Sequence, residues 1–196
     1  EALWTEYLKG ETLGKLWNME KVWIPSFAEE LVTKEKIKVG VLDTGIDYLH
    51  VDLKDNYNTS LSYDFINDQS WGMDDNGHGT EVAGVIGAKV NGKWVFGSNP
   101  NTDLISLKVL GSEGLGTTYD VLEAITYAKT NNIPVLNISF GGVGSPVNNP
   151  ICEAITDAKN NGTITVVSAG NANQDVENTI PAACPDAITV GATNQD

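Results

Sequence analysis

Apolar residues along the chain fall into short, nearly continuous runs, separated by longer stretches where they recur every three or four positions. "IKVGVLD" (37–43) is the first run, β-rich and closed by an acid. "DLISLKVL" (103–110), "IPVLNISF" (133–140), "TITVVSAGN" (163–171) and "AITVGAT" (187–193) read as further strands. "TEVAGVIGA" (80–88) is helix-like, with small residues that permit close packing. "TTYDVLEAITYAKTNN" (117–132) carries Val121, Leu122, Ile125 and Ala128 at helical spacing, and "ICEAITDAKNNG" (151–162) is a helix stopped by glycine. Strands that are apolar almost throughout are buried on both faces. Their alternation with helices predicts an α/β fold in three layers, a mainly parallel sheet with helices on both faces. Residues 1–35 break the pattern, with Trp4, Trp17 and Trp23 scattered among charges, and read as an N-terminal arm packing on a core domain at 36–196. No internal repeat, low-complexity tract or linker divides the chain.

Composition narrows the partners more than the fold. A chain of 196 residues, 41 % of them hydrophobic, can bury a single sizeable core. The net charge is −14, and all 12 basic residues are lysines. Without arginine there is no planar fork to clamp phosphate in two places, and a polyanion such as nucleic acid is not expected as a partner. No apolar run is long enough to span a bilayer, so a membrane is not expected either. Nothing at the start has the order of a secretory signal, so an exported form would be the processed one. The two cysteines, Cys152 and Cys184, fit neither a paired zinc spacing nor a redox CxxC. By themselves they read equally as two buried thiols or as one disulfide.

In parallel sheets, ligand-binding and catalytic groups collect beyond the carboxyl ends of the strands. Those ends carry Asp43, then Ser139, Phe140 and Gly141, then Gly170 and Asn171. His78, in "DDNGHGTEVAGVIGA" (74–88), sits at a helix start, from which a side chain can reach across the top of the sheet. Each has a plainer reading: Asp43 as the cap of the turn "DTG", His78 as a structural imidazole, Asn171 as an ordinary turn residue. Neither a GxGxxG turn nor a GxxxxGK[ST] loop is present, which argues against nucleotide binding.

Taken together, these segments resemble the subtilisin-like serine proteases. "VGVLDTGIDYLHVDL" is similar to that family's acid motif, "NGHGTEVAG" to its histidine motif, "VLNISFGG" to its substrate-binding strand and "VVSAGN" to its oxyanion segment. They occur in the family's order from about Asp43 onward. The resemblance implies a catalytic set of Asp43, His78 and Asn171, in which Asp43 orients His78, His78 acts as general base, and the Asn171 amide stabilises the oxyanion. It implies a polypeptide substrate lying as an added strand between Gly114, Leu115 and Gly116 on one side and Ser139, Phe140 and Gly141 on the other. Ser168, Ala169 and Gly170 would line the first specificity pocket.

The resemblance carries further expectations. No cofactor is expected for catalysis. A structural Ca²⁺ is expected at Asp52 and Asn91, with peptide oxygens of Lys89, Lys93 and Val95, where the plainer reading is a capping Asp52 and a turn at "NG". "DDNG" (74–77) is expected to cap the helix that carries His78. Cys152 and Cys184 match a disulfide pair of secreted members, which implies an extracellular protein.

Two departures stand out. Glu81 occupies a position where the family usually has a second histidine, which places a carboxylate one turn from the candidate base. The larger departure is the nucleophile: no serine here lies in a "GTSMA"-like motif. The reading is therefore a domain incomplete at its C-terminus, unstable alone, whose serine is expected on a missing or separate C-terminal fragment that completes the site. The alternative is a catalytically inert peptide-binding module.

Overall fold

The computed structural model describes residues 35–91 and 95–194, so the predicted arm at 1–35 falls almost wholly outside the described residues. Strand β1 (Ile37–Asp43) is the middle of a seven-stranded sheet and pairs in parallel with β4 (Thr102–Lys108) on one side and β5 (Val135–Ile138) on the other. β7 (Ile164–Ser168) and β9 (Ile188–Val190) continue the parallel array beyond β5. On the far side of β4, β2 (Tyr63–Asp64) is parallel to it, and β3 (Gln69–Ser70) runs antiparallel to β2. A separate two-stranded ladder joins β6 (Gly142–Val143) to β8 (Thr179–Ile180).

The strand order β3-β2-β4-β1-β5-β7-β9 reverses at β1. The chain steps from β1 to β4, then crosses back over β1 to reach β5. Crossovers of one hand that run in opposite directions put their helices on opposite faces of the sheet. Accordingly α1 (His78–Gly87) packs on β1 and β4 from one face, while α2 (Thr118–Thr130) and α3 (Pro150–Asn160) pack together on the other. The reversal leaves a crevice beyond the carboxyl end of β1, where Asp43 is the last residue.

Alternation along β1 divides the core in two. Leu42 joins Leu107, Ile125, Leu136, Ile138 and Ile155 under α2 and α3, whereas Val41 joins Ile46, Leu53, Ala83 and Leu104 under α1. The buried residues of α1 are small, Gly79, Ala83 and Gly87, so this helix lies close against the strands. A capping box of Thr117 and Asp120 starts α2, and Asn149 followed by Pro150 starts α3. A disulfide ties Cys152 on α3 to Cys184. With the two cysteines 32 positions apart, the closed loop contributes about 3–4 kcal/mol by the chain-entropy relation.

On the α1 side, no helix among the described residues covers the sheet beyond β1. Val167 points into the α2–α3 cluster, so its neighbours on β7 point the other way, and in register with them Ile188 and Val190 do too. Ile164, Ile188 and Val190 are 51 %, 53 % and 52 % exposed.

The strand expected at 37–43 is present with those bounds, and the other four are present but shorter. β4 stops at Lys108 because the N–H groups of Val109 and Leu110 both turn to the carbonyl of Asp43. The helix-like run at 80–88 starts at His78, as expected of the helix that carries it, because side chains of the preceding loop and of Thr44 receive its first N–H groups. The paired segments β2–β3 and β6–β8 are two residues each and leave no periodic signal.

Candidate active site

Asp43 is fully buried at the crevice, and its Oδ1 accepts two hydrogen bonds of 2.7 Å, from the Thr44 N–H and from His78 Nδ1. The other carboxylate oxygen, Oδ2, is buried without a hydrogen-bond partner among the described residues. The side chain of His78 is 46 % exposed. A carboxylate that accepts from Nδ1 fixes the ring's orientation and leaves Nε2 as the free basic nitrogen on the solvent side. Such an imidazole can take a proton from a hydroxyl and return it to a leaving group.

The stretch from Asp74 to Thr80 folds so as to aim this ring. Gly77 is the N-cap of α1, with φ of 112°, and has no side chain to offer. Its neighbours supply the cap: His78 N–H donates to Asn76 Oδ1, Gly79 N–H to Thr44 Oγ1 and Thr80 N–H to Asp74 Oδ2. "DDNG" thus caps the helix, but through Asp74 and Asn76 and with Thr44 of the "DTG" turn as a third member. The helix start and that turn are pressed together. A Cβ on Gly79 would lie 2.2 Å from the Gly45 carbonyl oxygen and 3.1 Å from Asp43 Cβ, so glycine is required beside the histidine.

Asp74 organises this corner. Burial pushes its carboxyl up, but the Thr80 hydroxyl, the N–H groups of Gly77 and Asn76 and the Thr44 hydroxyl outweigh that and bring it down to about 2. Thr44 and Lys108 were not among the residues singled out from the sequence, and Asp74 and Asp75 were singled out only as part of the "DDNG" cap. The only available signal was their closeness in the chain to Asp43, His78 or a strand end.

Gly114, Leu115 and Gly116 face Phe140 and Gly141 across a groove of about 400 Å³, whose floor includes Leu110, Val121 and Ile180. Gly116 passes so close to β4's continuation that a Cβ would sit 2.0 Å from the Val109 carbonyl oxygen. Ser139 borders this wall and accepts a hydrogen bond from Asn137. Ser168 ends β7, Ala169 N–H bonds to the Val190 carbonyl, and Gly170 takes φ of 86°. Asn171 follows on the same edge of the sheet, exposed, and the structure brings it into no hydrogen bond with Asp43 or His78. Among the described residues, no hydroxyl group hydrogen-bonds to His78. Glu81 is exposed one turn along α1 and makes no ion pair with the imidazole, whose partner is Asp43.

Asp52 lies behind α1 and is 1 % exposed. Its Oδ1 accepts from Asn91 Nδ2 at 2.8 Å, while Oδ2 is buried without a hydrogen-bond partner among the described residues. Lys89 N–H donates to the Asp52 carbonyl, and Val95 lines an adjacent apolar concavity of about 300 Å³ with Asp52 and His50. Lys93 falls outside the described residues. No cluster of three or more histidine, cysteine or acidic side chains suited to a metal occurs among the described residues.

Residues 34–196 match the family described as the subtilase family. Subtilisin DY of Bacillus licheniformis is 37 % identical over 163 residues, which is 82 % of this chain and 57 % of that protein. Subtilisin Savinase of Lederbergia lenta is 34 % identical over 181 residues, 92 % of this chain and 64 % of that one. The crystal structure of a cold adapted subtilisin-like serine proteinase superposes with a TM-score of 0.73 at 32 % identity, covering 82 % of this chain and 56 % of the other. The chain spans about half the length of the relatives it matches.

The depressed Asp74 carboxyl makes the corner sensitive to acid. Its contribution is complete above the unfolded value near 4 and is lost as the pH falls through about 2. Discounted for its partial exposure, this amounts to about 1–2 kcal/mol. Asp74→Asn should therefore destabilise the protein at pH 7 by about that amount and flatten the loss of stability between pH 4 and pH 2. Urea unfolding at several pH values measures both; an unchanged pH slope in the variant would remove Asp74 from this role.

Proposed function

Because the chain belongs to the subtilase family, we propose that it supplies the acid–base half of a serine endopeptidase active site. The observation that carries this reading is the 2.7 Å bond between fully buried Asp43 and half-exposed His78. In the reaction, His78 Nε2 takes the proton of a serine hydroxyl as that oxygen bonds to the peptide carbonyl carbon. The carbonyl oxygen becomes an oxyanion, to which the Asn171 amide donates. On collapse the C–N bond breaks and Nε2 gives its proton to the departing amine. Water then repeats the sequence on the acyl ester and frees the serine. Asp43 keeps the ring in one tautomer and offsets the positive charge it acquires.

The serine belongs to a polypeptide segment outside these residues. Supporting this are the lack of a hydroxyl on His78 among the described residues and the bare apolar strip of Ile164, Ile188 and Val190 beside the crevice, which a further segment would cover. The substrate is an extended polypeptide in the groove between Gly114–Gly116 and Phe140–Gly141, with Leu115 and Phe140 favouring apolar side chains and Ser168, Ala169 and Gly170 walling the pocket next to the scissile bond. The missing hydroxyl also favours a second reading, a module that grips peptides without cutting them. The disulfide suits an oxidising, extracellular setting.

A structural Ca²⁺ at Asp52 fits one observation, its buried and unpartnered Oδ2. Asp52, Asn91 and the carbonyls of Lys89, Lys93 and Val95 would hold the ion, which would tie the 89–95 loop to the segment preceding α1. Chelation with EGTA should lower the melting temperature of the parent protein but not of Asp52→Ala. Equal shifts in both would place the ion elsewhere, and no shift in either would remove it.

Asp43→Asn in the protease complete with its serine segment should lower kcat/KM by about 10⁴ while leaving the circular dichroism unchanged, because the amide offers Nδ1 the wrong tautomer. Equal rates for variant and parent would sink the assignment.

A further inference from the structure

Lys108, the last residue of β4, is the largest fully buried side chain among the described residues. Its ammonium makes three hydrogen bonds, to the Thr44 carbonyl at 2.5 Å, Asp75 Oδ1 at 2.6 Å and the Leu110 carbonyl at 2.9 Å. Every proton of the ammonium is used, and each acceptor belongs to a different part of the crevice. Thr44 is the turn after β1, Asp75 the loop that leads into α1, and Leu110 the start of the groove wall.

The three acceptors continue directly to the candidate base. Thr44 donates its N–H to the Asp43 oxygen that binds His78, and its hydroxyl receives the Gly79 N–H. Asp75 lies between Asp74, which binds Thr80 N–H, and Asn76, which receives His78 N–H. Asn76 also donates from Nδ2 to the Ser112 carbonyl at 2.7 Å, which joins the same loop to the groove wall a second time. An apolar side chain of similar volume would fill the end of a strand without the cost of burying an ammonium. What it would not do is hold three separate backbone segments in one geometry.

We propose that Lys108 is a positioning residue for the Asp43–His78 pair: its buried ammonium pins the Thr44 turn and the Asp75 loop to the start of the groove wall, so that imidazole and substrate edge keep a fixed relation. The proposal rests on the reading of Asp43 and His78 as the acid–base pair. Its first test needs no serine and no turnover, so it can fail or succeed apart from that reading.

The chain has two histidines, which their hydrogen bonds distinguish. His50 Nδ1 accepts from the Asp52 N–H, whereas His78 Nδ1 bonds to a carboxylate and carries the proton. In ¹⁵N-histidine NMR of the protein with all of its polypeptide, the protected Nδ1–H signal that His78→Ala removes should therefore come from His78. Lys108→Met and Asp75→Asn, the latter altering a half-exposed partner, should each speed solvent exchange of that proton by about ten-fold or more, as expected when positioning is lost. The His50 signals and the near-ultraviolet circular dichroism should stay as in the parent. In the protease with its serine segment, kcat on a short ester should fall by about ten-fold while KM stays within about two-fold. A folded variant that keeps the parent exchange rate at His78 would overturn the proposal and leave Lys108 a structural residue. Should Lys108→Met fail to fold, Asp75→Asn decides the matter by the same readout.

Discussion

One carboxylate oxygen holds the crevice together. Asp43 Oδ1 accepts from the backbone of the next residue and from an imidazole on a helix 35 positions later, with no solvent exposure of its own. A buried carboxylate is tolerated only where donors converge on it, so the turn after β1 and the start of α1 must both arrive at this point. Other features follow from that demand. Gly79 has no Cβ because the helix start touches the turn, and Thr44 and Asp74 share the helix's first N–H groups because the turn and loop are already in contact.

Topology supplies the place for this bond. The reversal of strand order at β1 opens a crevice at its carboxyl end, and the same reversal sends α1 to one face and α2 and α3 to the other. The ring of His78 consequently comes from one layer and the groove floor, through Val121, from another. Both are referred to the end of β4, whose lysine contacts the turn, the loop and the wall. The bare strip on β7 and β9 lies on the α1 face, beside the same edge of the sheet.

The layers were legible in the sequence because buried parallel strands are apolar without interruption, and runs such as "VGVL" and "VLNI" cannot be mistaken for surface. Asp43 was legible as a polar residue at the end of such a run and His78 as one at a helix start, and their pairing through the resemblance of the flanking motifs. The bonds that orient them were not. In "SLKVL" the lysine reads as a solvated position, and two of its three acceptors are 64 and 33 positions away. Strand order is equally silent, since β4 and β5 would give the same apolar pattern on either side of β1. Two-residue ladders such as β6–β8 are set by tertiary contact and carry no period of their own.

On this reading these residues provide base and orienting acid to a nucleophile carried elsewhere. Labelling the native protein, with all of its polypeptide, by a fluorophosphonate and mapping the adduct by mass spectrometry tests it most directly. One adduct is expected, on a serine outside the 196 residues, abolished when His78 is replaced by alanine. An adduct on Ser139, Ser168 or any other serine of this chain, or labelling indifferent to His78, would contradict it.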